Sequence, residues 1–168
     1  MASSCVLGSV VVLRIISVLT LTASVLVMGL NNFTQLGIKV KFTDIIAFRY
    51  VFACGLAGAA YNLIQLPFAL YNAAKDKRMI RNGCLQEFDF YGDKVICFLV
   101  ASGVGAGFAM SCELKRGSDD LNDKGKTFLD RGLISSGLLL GGFLAMALLT
   151  IFSSNRHTSA KTRAFFQN

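Results

Sequence analysis

The sequence predicts an all-α fold: a four-transmembrane helix bundle with cytoplasmic N- and C-termini. Three observations predict it. The chain of 168 residues is 54% hydrophobic and only 16% charged, whereas soluble domains carry about 25% charged residues. The apolar residues gather in four runs, residues 9–29, 46–66, 92–112 and 132–152, with most charges between them. Each run has roughly the 20 residues a helix needs to cross the hydrocarbon core. Strands of a membrane barrel are shorter and alternate in polarity.

The elements follow in order. Residues 1–8 form a short N-terminus without a basic residue, so run 9–29 is expected to be a span and not a signal peptide. External loop 30–45 contains LGIKVKF, whose alternation suggests a brief surface strand. It also holds Asn-Phe-Thr at 32–34, which makes Asn32 a candidate N-glycosylation acceptor. Span 46–66 meets the only proline, Pro67, which reads as a helix stop. The cytoplasmic loop, 67–91, opens with LPFALYNAAKDKRMIRNG, a helical extension with a basic end. Span 92–112 leads to external loop 113–131, which is polar and punctuated by glycine. Span 132–152 leads to a polar tail, 153–168, expected to be disordered.

Orientation rests on the loops. With the termini inside, Lys75, Lys77, Arg78, Arg81, Arg156, Lys161 and Arg163 are cytoplasmic. Lys39, Lys41, Lys115, Arg116, Lys124, Lys126 and Arg131 are external. The counts are equal, so Lys/Arg bias does not choose. Glu113, Asp119, Asp120, Asp123 and Asp130 neutralise the last external loop, and the acceptor pattern at Asn32 lies in the first. Both favour termini inside.

Several functions are excluded or disfavoured. The net charge of +7 does not imply nucleic acid, because the cations sit in short loops and at run ends rather than on one soluble face. The single histidine, His157, lies in the tail, and no carboxylate is placed to orient it. The five cysteines, Cys5, Cys54, Cys84, Cys97 and Cys112, lack metal or redox spacing. Cys5 and Cys84 lie near a membrane face and are candidates for palmitoylation. No phosphate loop is present, since GVGAG at 103–107 lies inside an apolar run. No enzyme activity, cofactor, metal or small-molecule substrate is expected.

The glycines have a packing reading. Gly55 with Ala59, Gly103 with Gly107, and Gly137 with Gly141 each sit four residues apart. Small residues so spaced let helices approach closely in lipid. They serve either packing within the bundle or lateral association.

Two charges stand out. Arg14 lies in an otherwise uncharged stretch from Cys5 to Leu30, and Asp93 opens the third run in FDFYGDKVICFLV. Arg14 can snorkel to the interface, and Asp93 can serve a helix N-terminus. Alternatively, spans one and three enter from the same side, so the two charges are matched in depth and can form a bidentate ion pair inside the bundle. Lys94 is expected to point elsewhere and snorkel. Arg49 and Glu113 are likewise matched in depth at the opposite face, as a possible second pair.

These residues carry a resemblance. LRIISVLTLTASVLVM with Arg14, FRYVFACGLAGAAYNLIQLP with Arg49 and Tyr61, DFYGDKVICFLVASGVGAGFA with Asp93, and DRGLISSGLLLGGFLAMALLTIFSS together resemble the plant Casparian strip membrane domain protein-like family, which is MARVEL-related. The resemblance covers nearly the whole chain. Its hallmark arginine and aspartate correspond to Arg14 and Asp93. It implies four spans, cytoplasmic termini, plasma-membrane residence, and homo- or hetero-oligomers with related four-span proteins. Founding members build an immobile platform that directs lignin deposition. Their last external loop carries a cysteine pair and a tryptophan; ELKRGSDDLNDKGKTFLDR has neither, and the chain has no tryptophan. Nor does the short first loop show their extended signature. The expected function is therefore a self-associating scaffold that organises a membrane domain, contacts lipids and recruits partners, linked to cell-wall modification without forming a barrier. The alternative is a channel or transporter accessory subunit. The helix interiors read as poor in further polar residues, and no helix is broken by proline at midplane, which leans against transport.

Overall fold

The computed structural model describes residues 2–35, 38–75, 84–117 and 123–166, with side chains described for 8–31, 41, 43–71, 90–117 and 125–154. Four long helices dominate: α1 (Ala2–Gly29), α2 (Ile46–Lys75), α3 (Cys84–Arg116) and α4 (Asp123–Phe166). All four contain stretches long and apolar enough to cross a membrane: Gly8–Gly29, Ile46–Tyr71, Phe90–Arg116 and Gly125–Ser154. The protein is a multi-pass membrane protein.

The helices exceed the expected spans, for local reasons. α2 runs through Pro67 to Lys75. Proline deletes one backbone hydrogen bond, but membrane helices tolerate it because neighbouring groups compensate, so Pro67 is not a stop. α4 continues through the tail expected to be disordered and ends at Phe166. No glycine or proline follows Gly142, and extending an existing helix costs far less than nucleating one. α3 stops where the pattern allows it: Lys115 and Arg116 fill its last turn, and the Gly117 amide bonds back to the Glu113 carbonyl.

Between α1 and α2 the chain forms an antiparallel hairpin, β1 (Asn32–Gln35) and β2 (Ile38–Lys41), in which Asn32 pairs with Lys41 and Gln35 with Ile38. The alternation in LGIKVKF thus belongs to the second strand of a hairpin rather than to a lone strand. A 3-10 turn, Phe42–Asp44, leads into α2. The Asp44 carboxylate accepts from the Lys41 amide at 2.8 Å.

Each helix packs on its sequence neighbours, and α4 closes the ring against α1. α1 and α3 therefore face one another across a diagonal, as do α2 and α4. Neighbours run antiparallel. Along the α1–α4 seam Ser24 meets Ser135 and Asn31 meets Phe128, so one number rises as the other falls.

The bundle is apolar outside, and its apolar core carries buried polar side chains. Leu19, Phe98 and Ile46 are 64%, 75% and 81% exposed, whereas Asn62, Ser24 and Ser135 are buried. A continuous apolar exterior of this kind marks a membrane surface. Lipid supplies no hydrophobic drive between helices, so close packing and internal hydrogen bonds hold them together. A Cβ on Gly103 would lie 2.8 Å from the Cys54 Cβ, and one on Gly107 would overlap Ser136 Oγ. Gly55 backs onto Val25 and Leu139, and Ala59 is buried in the core. The α4 pair behaves differently. Gly137 faces open space, and Gly141 has only Thr20, at 3.8 Å from its would-be Cβ. The close approach from α4 to α1 is made instead by Gly142, against Leu21. Four-residue spacing shows that two glycines share a face; it does not show which way that face points.

Candidate functional site

The site lies across the bundle diagonal, at the end where α1 and α3 begin. Arg14 is five residues into the apolar run that opens at residue 9, or about 8 Å at 1.5 Å per residue. It is 4% exposed, and Asp93 is 2% exposed. Arg14 therefore turns into the bundle rather than snorkelling. Asp93 stands nine residues beyond the start of α3 at Cys84, past the single turn over which a helix terminus acts on charge.

The structure brings the two side chains together. Arg14 Nη2 donates to Asp93 Oδ1 at 3.2 Å and to Oδ2 at 3.3 Å. The geometry is not the expected two-pronged pair, because a single guanidinium nitrogen serves both oxygens. Nη1 turns to α2 and donates to Asn62 Oδ1 at 3.4 Å.

The other helices complete the network. From α2, the Tyr61 hydroxyl donates to Asp93 Oδ1 at 2.9 Å, and Gln65 Nε2 reaches that hydroxyl at 3.4 Å. Asn62 Nδ2 donates to the Gly58 carbonyl at 2.9 Å and to Met146 Sδ of α4 at 3.1 Å. Also from α4, the Thr150 hydroxyl donates to the Met146 carbonyl at 2.9 Å and lies 3.5 Å from the Asp93 carbonyl oxygen. Gly92 makes room for the tyrosine: a Cβ there would sit 2.6 Å from the Tyr61 oxygen. One charge pair thus engages all four helices at one level.

A buried ion pair in low dielectric is stable only with good geometry and further hydrogen bonds. Here Asp93 accepts three, two of them from a cation. Arg14 Nε and Ser17 Oγ are buried without a hydrogen-bond partner among the described residues. The arrangement can fix helix register. Among the described residues no three His, Cys, Asp or Glu side chains gather into a metal site.

The second proposed pair does not form. Arg49 and Glu113 are both exposed, and the other ion pair among the described residues joins Lys115 to Asp130 at 3.1 Å, also exposed. Depth matching sets a common level but not a common direction. Near a membrane face a charge can point outward at little cost. The remaining candidates are placed only by backbone: Asn32 opens β1, Cys5 lies in α1, Cys84 starts α3 and His157 lies in α4. Their side chains are outside those described.

Sequence reading missed most of the supporting polar groups. Asn62, Gln65, Ser17, Ser24, Ser135 and Ser136 are all buried within the helices, so the interiors are not poor in polar residues. On the α1–α4 seam, Ser24 Oγ donates to the Ser135 carbonyl at 2.8 Å and Ser135 Oγ to the Ser24 carbonyl at 2.9 Å. Farther along, Asn31 Nδ2 donates to the Phe128 carbonyl at 3.0 Å. The available signal was YNLIQ within an apolar run, three polar groups in five residues.

The Casparian strip membrane protein domain matches residues 4–152, which include all of the network. The chain belongs to this family. It is 37% identical over 150 residues to a castor bean (Ricinus communis) protein named CASP-like protein 4D1, covering 85% of this chain and 87% of that one. It is 34% identical over 152 residues to the Glycine max protein of the same name, covering 88% and 87%. Over 151 residues it is 32% identical to CASP-like protein 4D2 of Arabidopsis thaliana, covering 84% and 85%. No solved structure matches. The Casparian strip domain ends just before the α4 extension, whose residues 153–166 lie beyond the match.

Proposed function

We propose that this protein is a multipass plasma-membrane scaffold that self-associates, organises a membrane domain and recruits partners, with both termini in the cytoplasm. One observation carries the reading: the intramembrane charges are engaged within a network that ties all four helices at one level. A bundle fastened this way keeps a fixed outer surface, which lateral association requires. A carrier instead needs helices that separate and repack around a site. Membership of the Casparian strip family supports the same reading. The connections between spans are short, so association would run through the apolar flanks, with related four-span proteins as partners. The reading assigns no reaction and no barrier role.

Native mass analysis and crosslinking of the full chain in lipid nanodiscs test it. Defined oligomers in the wild type, weakened by Asp93→Asn, are expected. Slow lateral recovery after photobleaching in a plant plasma membrane should accompany them. A monomer in nanodiscs with ion flux in proteoliposomes above empty vesicles would overturn the scaffold and favour a transporter accessory subunit.

A further inference from the structure

Lys94 is a charge within the third span that the network leaves over. It follows Asp93 directly, so its side chain leaves α3 about 100° away around the axis. The Asp93 carboxylate is turned inward and already accepts from Arg14 and Tyr61. Among the described residues Lys94 makes no ion pair. Its ammonium sits 3.9 Å from the centroid of the Phe90 ring. Phe90 lies one turn nearer the start of α3, directly after Glu87 and Asp89, where the sequence turns from polar to apolar. The side chain therefore bends back one turn and carries its charge to the level of the membrane face.

What surrounds it matters. Tyr91, Val95 and Phe98 are 62%, 64% and 75% exposed, and they flank Lys94 at helical spacings of three, one and four residues. This is an outward face with a cation at its upper end and large apolar groups below. In the sequence between the second and third spans, KDKRMIRNG, residues 75–83, holds four cations against one acid, and Glu87 and Asp89 follow it. A phosphate with an acyl chain beneath it complements both halves of this surface. The ring fixes the ammonium by a cation–π contact while leaving N–H donors free for charge-assisted bonds to phosphate oxygens.

We propose that Lys94, backed by Phe90, binds the headgroup phosphate of an anionic phospholipid whose acyl chain lies along Tyr91, Val95 and Phe98. This goes beyond the scaffold reading and needs only that the bundle spans a bilayer, so either can fail alone. The site would place an anionic lipid one residue from the helix-locking aspartate.

The test uses the full chain in nanodiscs of phosphatidylcholine mixed with phosphatidylserine, with retained lipids counted by native mass spectrometry. The wild type should enrich phosphatidylserine over the bulk ratio, and Lys94→Gln should lose about fivefold of that enrichment, the worth of one cation at an anionic surface. Lys94→Arg should keep it. Lys94→Met, which retains the apolar stem, repeats the loss in a variant whose folding is checked by its thermal midpoint. Equal retention of the two lipids by the wild type would overturn the proposal. So would unchanged enrichment in Lys94→Gln and Lys94→Met, including the case in which only neutralising Lys77, Arg78 and Arg81 abolishes it.

Discussion

Replacing Asp93 by asparagine removes the charge opposite Arg14 and leaves the side chain almost the same size. The amide oxygen can still accept from Tyr61, so that bond, 2.9 Å in the wild type, need not be lost. What changes is Arg14, 4% exposed and now without a counter-charge. Breaking one side of a buried pair costs about 3–5 kcal/mol. A domain of this size loses roughly 2–4 °C of thermal midpoint per kcal/mol, so a fall of about 6–12 °C is expected at the lower bound of 3 kcal/mol. Cys54 is 1% exposed until the bundle opens, so its labelling by a thiol-reactive dye reports unfolding once the exposed Cys112 and the partly exposed Cys97 are replaced. The decisive variant is the neutral double, Arg14→Gln with Asp93→Asn. It leaves no unpaired charge, so it should melt above Asp93→Asn alone and lose much less than the two single losses together. Swapping the charges, Arg14→Asp with Asp93→Arg, should recover less than the neutral double, since it turns the Tyr61 hydroxyl toward a guanidinium. If the single losses add to within about 0.5 kcal/mol, the usual limit for independent sites, the two residues do not interact and the reasoning fails.

Other substitutions test the surrounding contacts. Tyr61→Phe deletes the hydroxyl that donates to Asp93 and should cost about 1.5–3 kcal/mol, the range for a bond to a charged group, read in the same thermal assay. Gly107→Ala places a methyl onto Ser136 Oγ and within 2.9 Å of Val51, so it should destabilise by about 1–3 kcal/mol. Gly137→Ala meets nothing within 4 Å and should leave the midpoint unchanged; equal effects from the two would contradict the assigned faces. Ser24→Ala removes one donor of the reciprocal serine pair and leaves Ser135 Oγ bonded only to the Ser24 carbonyl, for an expected loss of about 1 kcal/mol.

The level of each charge was legible in the sequence; its direction was legible only where the bilayer enforces it. Arg14 and Asp93 both lie inside apolar runs, where an outward charge faces hydrocarbon and costs at least about 2.5 kcal/mol. The short Asp93 carboxylate cannot reach back to the interface and must turn inward, whereas a long cation can snorkel as Lys94 does; Arg14, at the depth of Asp93, meets the carboxylate instead. Arg49 and Glu113 share a depth as well, but they stand at helix ends, where nothing forces them inward, and both are exposed. The glycines show the same limit. Gly103 and Gly107 are consumed inside the bundle, whereas Gly137, at the same spacing from Gly141, looks out. Helix ends were misjudged for another reason. Pro67 and the polar tail carry signals calibrated on helices in water, and here each lies within or directly continues a long membrane helix. Asn62 and Gln65 were missed because a lone amide in an apolar run acquires meaning only from its partner on another helix.

The inward stripe of α1 shows why such polar groups decide the fold. Its buried positions are Arg14, Ser17, Leu21, Ser24 and Met28, continued by Asn31 two residues past the helix end, alternating in steps of three and four. A seven-residue repeat of this kind winds helices left-handedly at shallow angles. Four of the six are polar. In water the apolar members alone would tell the inside from the outside. In lipid they cannot, because the exterior offers Leu19 and Leu26 surroundings as apolar as those Leu21 and Met28 find within. Rotating α1 would leave its apolar contacts nearly as good, but it would point Arg14, Ser24 and Asn31 into hydrocarbon. Sliding it by one repeat would bring Leu21 opposite Asp93, in the place of Arg14, and strand a charge on each helix. The partners Asp93, Ser135 and the Phe128 carbonyl therefore fix both the rotation and the register of α1. A helix so indexed presents the same outer face in every copy of the protein, and repeated lateral contact between copies depends on that constancy.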